Sequence, residues 1–195
     1  MPDKKPVDRR TVKTKKMIRR ALAELLQEKE LRKITVQEIA DKAEVSRFTF
    51  YKHYLDVYDL YDKIERELLI DISVIVLQIE NKTTEEFFQK LVQYIYDNSV
   101  TFGMIFNPNS KSNLRDKLSK LIEGMFKKLY SDKLRIQMDN KELAYICCYR
   151  SQGCLSVIQR WVINGLEEPC DYIVKSLSAI DKCIEQFFSD KAMRR

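Results

Sequence analysis

The basic side chains of this 195-residue chain are concentrated in its first twenty residues. That segment contains nine lysines and arginines and only two acidic residues, a net charge of +7, whereas the rest of the chain sums to −1. The basic residues are Lys4, Lys5, Arg9, Arg10, Lys13, Lys15, Lys16, Arg19 and Arg20. A basic arm on a nearly neutral body is typical of a protein that binds a polyanion, and the alternative is an ordinary solvated helix start.

The candidates for catalytic or metal chemistry are few. His53 is the only histidine, so a His-rich metal site is excluded and a His-dependent triad would have to use that residue. The carboxylate pairs at 85–86 and 167–168 are interpreted as helix-start and turn charges, and there is no Gly-rich phosphate loop. The five cysteines, odd in number and without metal-binding spacing, are Cys147, Cys148, Cys154, Cys170 and Cys183. We therefore expect no catalytic residue, no metal, no cofactor and reduced thiols.

The same composition bears on location and fold class. The basic amino terminus has no apolar segment after it, and the apolar stretch 68–79 is interrupted and too short to span a bilayer. A cytoplasmic protein without membrane association is expected. Glycine and proline number four each, about 4% of the chain against roughly 12% in an average protein. Because β-hairpins need such residues at their turns, this scarcity favours long helices and predicts an all-α fold.

Three helices are predicted in the first third of the chain. Apolar residues at helical spacing indicate a first helix over residues 9–29. Thr35 begins a second helix with a capping box, and Ser46 is a suitable N-cap for a third. Phe50 and Tyr54, four residues apart, supply the inward face of the third helix. Two of these helices are separated by a tight turn, which is a helix-turn-helix pattern.

Burial of those two aromatic residues turns Arg47, Phe48, Tyr51 and Lys52 outward. A helix of this kind offers its first turn and one face to base edges in the DNA major groove. Arg47 can make a bidentate contact to guanine, worth roughly 1–3 kcal/mol of discrimination. Thr49 can contact a thymine methyl or a phosphate. Phe48 can pack on thymine methyls, and the alternative is a small apolar surface patch.

The remaining predicted contacts are to phosphates. Thr35 and Val36 lie at a helix start, where backbone amides and the helix dipole favour a phosphate, although Thr35 is also a plain N-cap. The basic arm around Lys13 and Lys16 would follow the DNA backbone or enter the minor groove.

The segment from Thr35 to Tyr54, TVQEIADKAEVSRFTFYKHY, resembles the DNA-binding segment of TetR-type transcriptional regulators. That family reads roughly T-x-x-x-I-A-x-x-A-G-V-S-x-x-T-x-Y-x-H-F, followed by a lysine-containing turn and a leucine. The match covers about residues 9–66. A weaker match from Gly153 to Gly165, G-x7-W-V-I-N-G, resembles the subset that includes regulators of dihydroxyacetone kinase operons.

The resemblance implies roles for residues and domains. Tyr51, Lys52 and His53 match family positions that contact phosphates, and for His53 the alternative is an ordinary hydrogen-bonded surface histidine. Residues 1–8 are expected to be a disordered basic tail, 9–56 the helix-turn-helix domain and 57–195 an effector-binding and dimerisation domain. The predicted DNA-binding residues are Thr35, Val36, Ser46, Arg47, Phe48, Thr49, Tyr51, Lys52, His53, Lys13 and Lys16.

Two positions depart from the family pattern. Glu44 stands where the family has glycine in the turn, which costs something like 1 kcal/mol if that position requires a positive φ, and its charge would lie near phosphates. Val57 replaces the phosphate-binding lysine after the third helix, so one backbone contact is missing.

The carboxy-terminal body implies a homodimer and an effector. In TetR-like proteins the last two long helices pair with their copies in a four-helix bundle, and the alternative here is a monomeric bundle. The predicted interface residues are Gly153, Val157, Trp161, Ile173, Leu177, Ile180, Ile184 and Phe188. The family also encloses a pocket for a small apolar or amphipathic effector, whereas aromatic residues at helical spacing are also ordinary core. The predicted effector residues are Tyr94, Phe102, Phe106, Met125, Tyr145, Tyr149 and Gln152.

Three functions remain open on the sequence. The first is a dimeric regulator, most often a repressor, released from a palindromic double-stranded DNA operator by a small effector. The second is a TetR-like regulator, possible as an activator, controlled by a partner protein. The third is a helical enzyme or an adaptor that does not bind DNA.

Overall fold

The computed structural model describes residues 9–78, 83–110, 112–133 and 140–193, and the side chains of 131–140 and 187–193 are not described. These ranges contain nine α-helices and no strand, which confirms the all-α prediction. The helices are α1 (Arg9–Glu28), α2 (Val36–Lys42), α3 (Arg47–Tyr51), α4 (Val57–Leu77), α5 (Thr84–Asp97), α6 (Ser99–Phe106), α7 (Leu114–Lys133), α8 (Asn140–Ile163) and α9 (Cys170–Met193). The predicted tail 1–8 and the side chain of Phe188 lie outside the described residues.

Local capping explains where several helices begin. The Asp56 carboxylate accepts a hydrogen bond from the Asp59 amide at 2.8 Å and so caps α4, as predicted. At α5 the cap is Thr83, one residue before the predicted start. Its hydroxyl accepts from the Glu86 amide at 3.2 Å, and the Glu86 carboxylate accepts from the Thr83 amide at 3.0 Å. Both devices satisfy backbone donors that a helix start leaves without partners.

The chain divides into two compact units. The first contains Met1–Arg66 and Val100–Ser112, so it includes α1 to α3, the first half of α4, and α6. Its core is built from aliphatic and aromatic side chains on the inward faces of those helices. The residues that are fully buried there are Ile18, Leu22, Leu26, Ile39, Phe50, Leu60, Ile64 and Phe102.

Polar contacts attach the segment after α6 to the rest of this first unit. The Asn109 side-chain amide donates to the Leu26 carbonyl at the end of α1 at 3.0 Å. The Ser112 hydroxyl donates to the carboxylate of Glu65, a largely buried residue of α4. The predicted division at residue 56 concerned function rather than compactness, and it stays a prediction.

The second unit contains Glu67–Ser99 and Asn113–Arg195. Within it α7 packs on α8 and α5 packs on α9. Phe87, Phe88 and Phe126 are buried in its core, together with Trp161, whose indole N–H donates to the Glu168 carbonyl at 2.9 Å. This bond lies across the turn between α8 and α9 and satisfies a buried donor.

The break between α8 and α9 falls where the sequence indicates. Gly165 has a φ of +79°, in the left-handed region that glycine adopts without steric cost, and its amide donates to the Val162 carbonyl at 3.1 Å. The Pro169 carbonyl then accepts from the Tyr172 amide at 2.9 Å in the first turn of α9. None of the helices in the described part of the chain has an apolar stretch long enough to cross a membrane.

Candidate functional site

The position of α2 against α1 is set by charged side chains around its capping box. The Thr35 hydroxyl accepts from the Glu38 amide at 3.3 Å, and the Glu38 carboxylate accepts from the Thr35 amide at 2.9 Å. Lys29, just after α1, forms a salt bridge with the same carboxylate. Hydrogen bonds from Lys29 first, and then from Thr35, lower the pKa of Glu38 to about 2. The carboxylate is therefore ionised at neutral pH and supports the start of α2, where Thr35 is exposed and Val36 is half-buried.

The turn between α2 and α3 has the hydrogen bonds of a Schellman motif. The Val45 amide donates to the Ala40 carbonyl at 2.9 Å, and the Glu44 amide donates to the Asp41 carbonyl at 3.1 Å. Glu44 has a φ of +54°, so the position does require the left-handed conformation. This conformation is sterically unfavourable for a residue with a Cβ atom, and the turn of this chain is consequently strained where the family has glycine.

Ser46 begins α3 as predicted. Its hydroxyl accepts from the Thr49 amide at 3.1 Å and also lies 2.9 Å from the Thr49 hydroxyl. Thr49 is half-buried, and its hydroxyl already has a partner within the helix, so its methyl group is the part that remains for a base contact. Phe50 is fully buried, and Tyr54, which follows the end of the helix, is 3% exposed. The predicted inward face is therefore present.

The outward face of α3 carries the predicted contact residues. Arg47 and Lys52 are exposed, Phe48 is 70% exposed and Tyr51 is 48% exposed. The Lys52 Nζ atom lies 4.7 Å from the centre of the Phe48 ring, within cation–π distance. The face thus combines a guanidinium fork, an ammonium group and two aromatic rings. These groups can contact base edges, phosphates and thymine methyls.

The end of α3 is held to α4 beside a histidine. Lys63 of α4 donates to the His53 carbonyl at 3.2 Å and to the Asp59 carboxylate at 2.8 Å. His53 is half-buried, and its pKa is lowered by this burial and by the charges of Lys15 and Lys52. The imidazole is therefore neutral near pH 7, with one nitrogen available to donate to a phosphate. Sequence reasoning did not identify the bracing role of Lys63.

The remaining DNA-binding candidates are placed unequally. Lys13 and Lys16 of α1 are both exposed, as a phosphate contact requires. Val57, which stands in place of the family lysine, is 5% exposed at the start of α4 and belongs to the core of the first unit. The loss of the lysine is thus accompanied by added apolar burial at this position.

The second unit contains a cavity of about 550 Å³ bounded by side chains of α5, α7, α8 and α9. Three of the seven predicted effector residues line it, namely Tyr145, Tyr149 and Gln152. The others lie elsewhere. Tyr94 donates to the Asp71 carboxylate at 2.7 Å, Met125 is buried on α7, and Phe102 and Phe106 are buried in the first unit.

The predicted dimer residues also fall into two groups. Gly153 and Ile180 are exposed, Val157 and Ile184 are half-buried, and all four line the same cavity. Trp161 and Ile173 are at most 5% exposed, and Leu177 is 4% exposed while bordering the cavity. These last three are already covered by their own chain, because they face its core. A partner can add little contact to them.

A buried ion pair beneath the cavity was only half anticipated. Arg150 was noted as a polar candidate, but its partner Asp181 was not. Burial lowers the pKa of Arg150 to about 10, and burial together with the negative charge of Glu185 raises the pKa of Asp181 to about 7. The available signal was the position of Asp181 four residues after the buried Leu177, on the inward face of α9.

Comparison with known proteins agrees with this architecture. Residues 18–62 match the family described as bacterial regulatory proteins of the tetR family, and residues 82–181 match a transcriptional regulator C-terminal region. The second match alone covers more than half of the chain. The chain belongs to the TetR family, and it is a DNA-binding transcription regulator rather than an enzyme.

Solved structures share the fold. The dihydroxyacetone kinase operon activator DhaS is 22% identical and covers 87% of this chain and 97% of its own, with a TM-score of 0.55. A transcriptional regulator from Aquifex aeolicus is 18% identical over 88% and 99% of the two chains, with a TM-score of 0.65. A TetR transcriptional regulator from Streptococcus agalactiae is 23% identical over 89% and 96%, with a TM-score of 0.50. No curated protein matches at a significant level.

Proposed function

We propose that this protein is a homodimeric repressor that binds a palindromic DNA operator through α3 and is released by a small-molecule effector. The observation that carries the DNA-binding part is the exposed face of α3. Arg47, Phe48 and Tyr51 point away from the core on a helix that is capped at Ser46 and held at its end by Lys63. Such a helix presents base-reading and phosphate-binding groups on a rigid support.

The proposed dimer rests on apolar side chains that α8 and α9 leave exposed. Tyr145, Tyr149 and Ile163 of α8 and Tyr172 and Ile180 of α9 are each between 51% and 77% exposed. Apolar exposure on this scale favours burial against a partner, and members of the family act as dimers. Two-fold symmetry places two copies of α3 on successive half-sites, about 34–36 Å or a multiple of that apart, which explains why the operator should be palindromic.

The proposed effector site is the cavity of about 550 Å³ in the second unit. Its size is in the range of small-molecule sites, which are mostly apolar with a few polar groups. The effector must bind the two states of the protein with different affinities, because only such a difference shifts the DNA-bound population.

A second candidate is an activator controlled by a partner protein. It is favoured by the structural likeness to DhaS, which is described as an activator. In that case the α8–α9 surface would receive the partner, and no small molecule would change DNA affinity. A transcription assay with the purified protein distinguishes increase from decrease at the operator.

The DNA-binding proposal is tested with a palindromic fragment from upstream of the gene, by fluorescence anisotropy at several salt concentrations. Arg47→Ala is expected to weaken operator binding by roughly ten- to a hundredfold, because a bidentate base contact is lost. Tyr51→Ala is expected to weaken operator and unrelated DNA alike, as loss of a phosphate contact does. Arg160→Ala, an exposed arginine of α8, is the matched control and should change neither. Affinity that is independent of salt, together with no effect of the two α3 variants, would contradict the proposal.

A further inference from the structure

The buried arginine at the floor of the second-unit cavity is not fully paired. The Arg150 side chain is 1% exposed and lines the cavity together with Asp181, with which it forms a salt bridge. Asp181 contacts the Nη2 atom, and a Glu185 carboxylate oxygen lies 3.9 Å from the same atom. Within the described part of the chain, the Nε and Nη1 atoms are buried without a hydrogen-bond partner. Buried charged donors of this kind are destabilising unless something completes them.

The ring contacts of this guanidinium hold it in a defined place. The Arg150 Cζ atom lies 4.1 Å from the centre of the Phe126 ring and 5.0 Å from that of the Tyr130 ring. Cation–π contacts on α7 therefore keep the group oriented while two of its nitrogens remain available. A site that is positioned in advance loses less entropy when a ligand binds.

The rest of the cavity wall is suited to an apolar body. Leu177, Ile180 and Ile184 supply aliphatic side chains from α9, and Tyr145 and Tyr149, both more than 70% exposed, supply aromatic ones from α8. A molecule that fits this wall and also completes Arg150 needs an apolar part and an acidic head group. Carboxylates form strong charge-assisted hydrogen bonds with guanidinium donors.

We infer that the cavity binds a small amphipathic carboxylate, with Arg150 as the residue that holds its acidic head group. The inference rests on the proposed effector response and specifies its chemistry. Asp181 competes for the same guanidinium, so it weakens the site for an anion while stabilising the empty protein. Arg150 and Asp181 consequently have opposite effects on ligand affinity, which purely structural partners would not have.

The experiment uses the full chain and phenylbutyrate as the probe, with the neutral phenylbutyramide as its isosteric control. Binding is measured by calorimetry and by the shift in melting temperature. Phenylbutyrate is expected to bind and the amide to bind roughly tenfold more weakly, as loss of a charge-assisted bond implies. Arg150→Met should abolish this preference, whereas Asp181→Asn should bind phenylbutyrate several-fold more tightly. Arg160→Met is the matched control on the same helix and should resemble the wild type.

Several results would overturn the inference. Equal affinity for the acid and the amide would do so, as would unchanged phenylbutyrate affinity in Arg150→Met. If Arg150→Met does not fold, Asp181→Asn decides alone, since weaker or unchanged binding in that variant contradicts competition for Arg150. A dimer that binds no probe would show that a second copy of the chain fills the groove. Operator binding is measured separately without probe, so failure here is distinguishable from failure of the DNA-binding proposal.

Discussion

Replacement of Glu44 by glycine is predicted to stabilise the protein. The residue has a φ of +54° and lies in a turn whose two hydrogen bonds, from the amides of Glu44 and Val45, depend on that conformation. A left-handed conformation costs a residue with a Cβ atom roughly 1–2 kcal/mol. Glycine removes this cost but makes the unfolded chain more flexible, which offsets about 0.4–1 kcal/mol. The net gain in the free energy of unfolding is therefore about 0.5–1 kcal/mol.

The same substitution should also strengthen DNA binding, through charge rather than strain. Glu44 is exposed in the turn that precedes α3. A carboxylate about 10 Å from a phosphate in water is repelled by roughly 0.4 kcal/mol, and more than one phosphate contributes. Loss of the charge is thus expected to raise operator affinity about two- to fivefold at low salt, and less at high salt.

Two further variants separate strain from charge. Glu44→Gln keeps the strain and removes the charge, so it should improve DNA binding without added stability. Leu166→Gly relieves the other non-glycine residue with positive φ among the described residues, at +59°, and should leave DNA binding unchanged. Urea unfolding and thermal melting measure stability, and about 1–4 °C of increase in Tm is expected for Glu44→Gly. The reasoning is refuted if Glu44→Gly is no more stable than Glu44→Gln.

Three other substitutions test the remaining features. Phe50→Ala removes a fully buried ring and should cost about 3–5 kcal/mol in urea unfolding, whereas the exposed Phe48→Ala should leave stability unchanged and lower only operator preference. His53 has a lowered pKa in the free protein, and a phosphate favours its protonated form, so DNA affinity should rise as pH falls from about 7.5 to 5.5. His53→Gln should lose this pH dependence, and an unchanged profile would argue against the phosphate contact. Ile180→Asp, on the exposed face of α9, should convert a dimer into a monomer in sedimentation analysis, and a dimer that persists would place the interface elsewhere.

Local signals in the sequence predicted most of the DNA-binding unit. The capping box at Thr35 and the N-cap at Ser46 act over three residues, and the inward position of Phe50 follows from helical periodicity. Family resemblance added the meaning of the exposed face. The strain at Glu44 was also predictable, because the need for a positive φ follows from the family's glycine in the turn.

Contacts between distant parts of the chain were less accessible. The predicted effector residues Phe102 and Phe106 belong to the first unit, whereas Tyr145 and Tyr149 line the cavity of the second. Both kinds of residue have the same apolar character and spacing in sequence. Periodicity identifies which face of a helix is apolar, but it does not identify which helix covers that face.

The sequence by itself determined that the chain is helical, where most helices begin, and which side chains of α3 point outward. These properties depend on groups a few residues apart, so composition, capping and periodicity are sufficient. Only the tertiary structure decided that Arg150 meets Asp181 across 31 residues and that its guanidinium keeps two unpaired nitrogens beneath a cavity. The physical reason is that burial and pairing depend on how whole helices pack, and many packings share one apolar pattern.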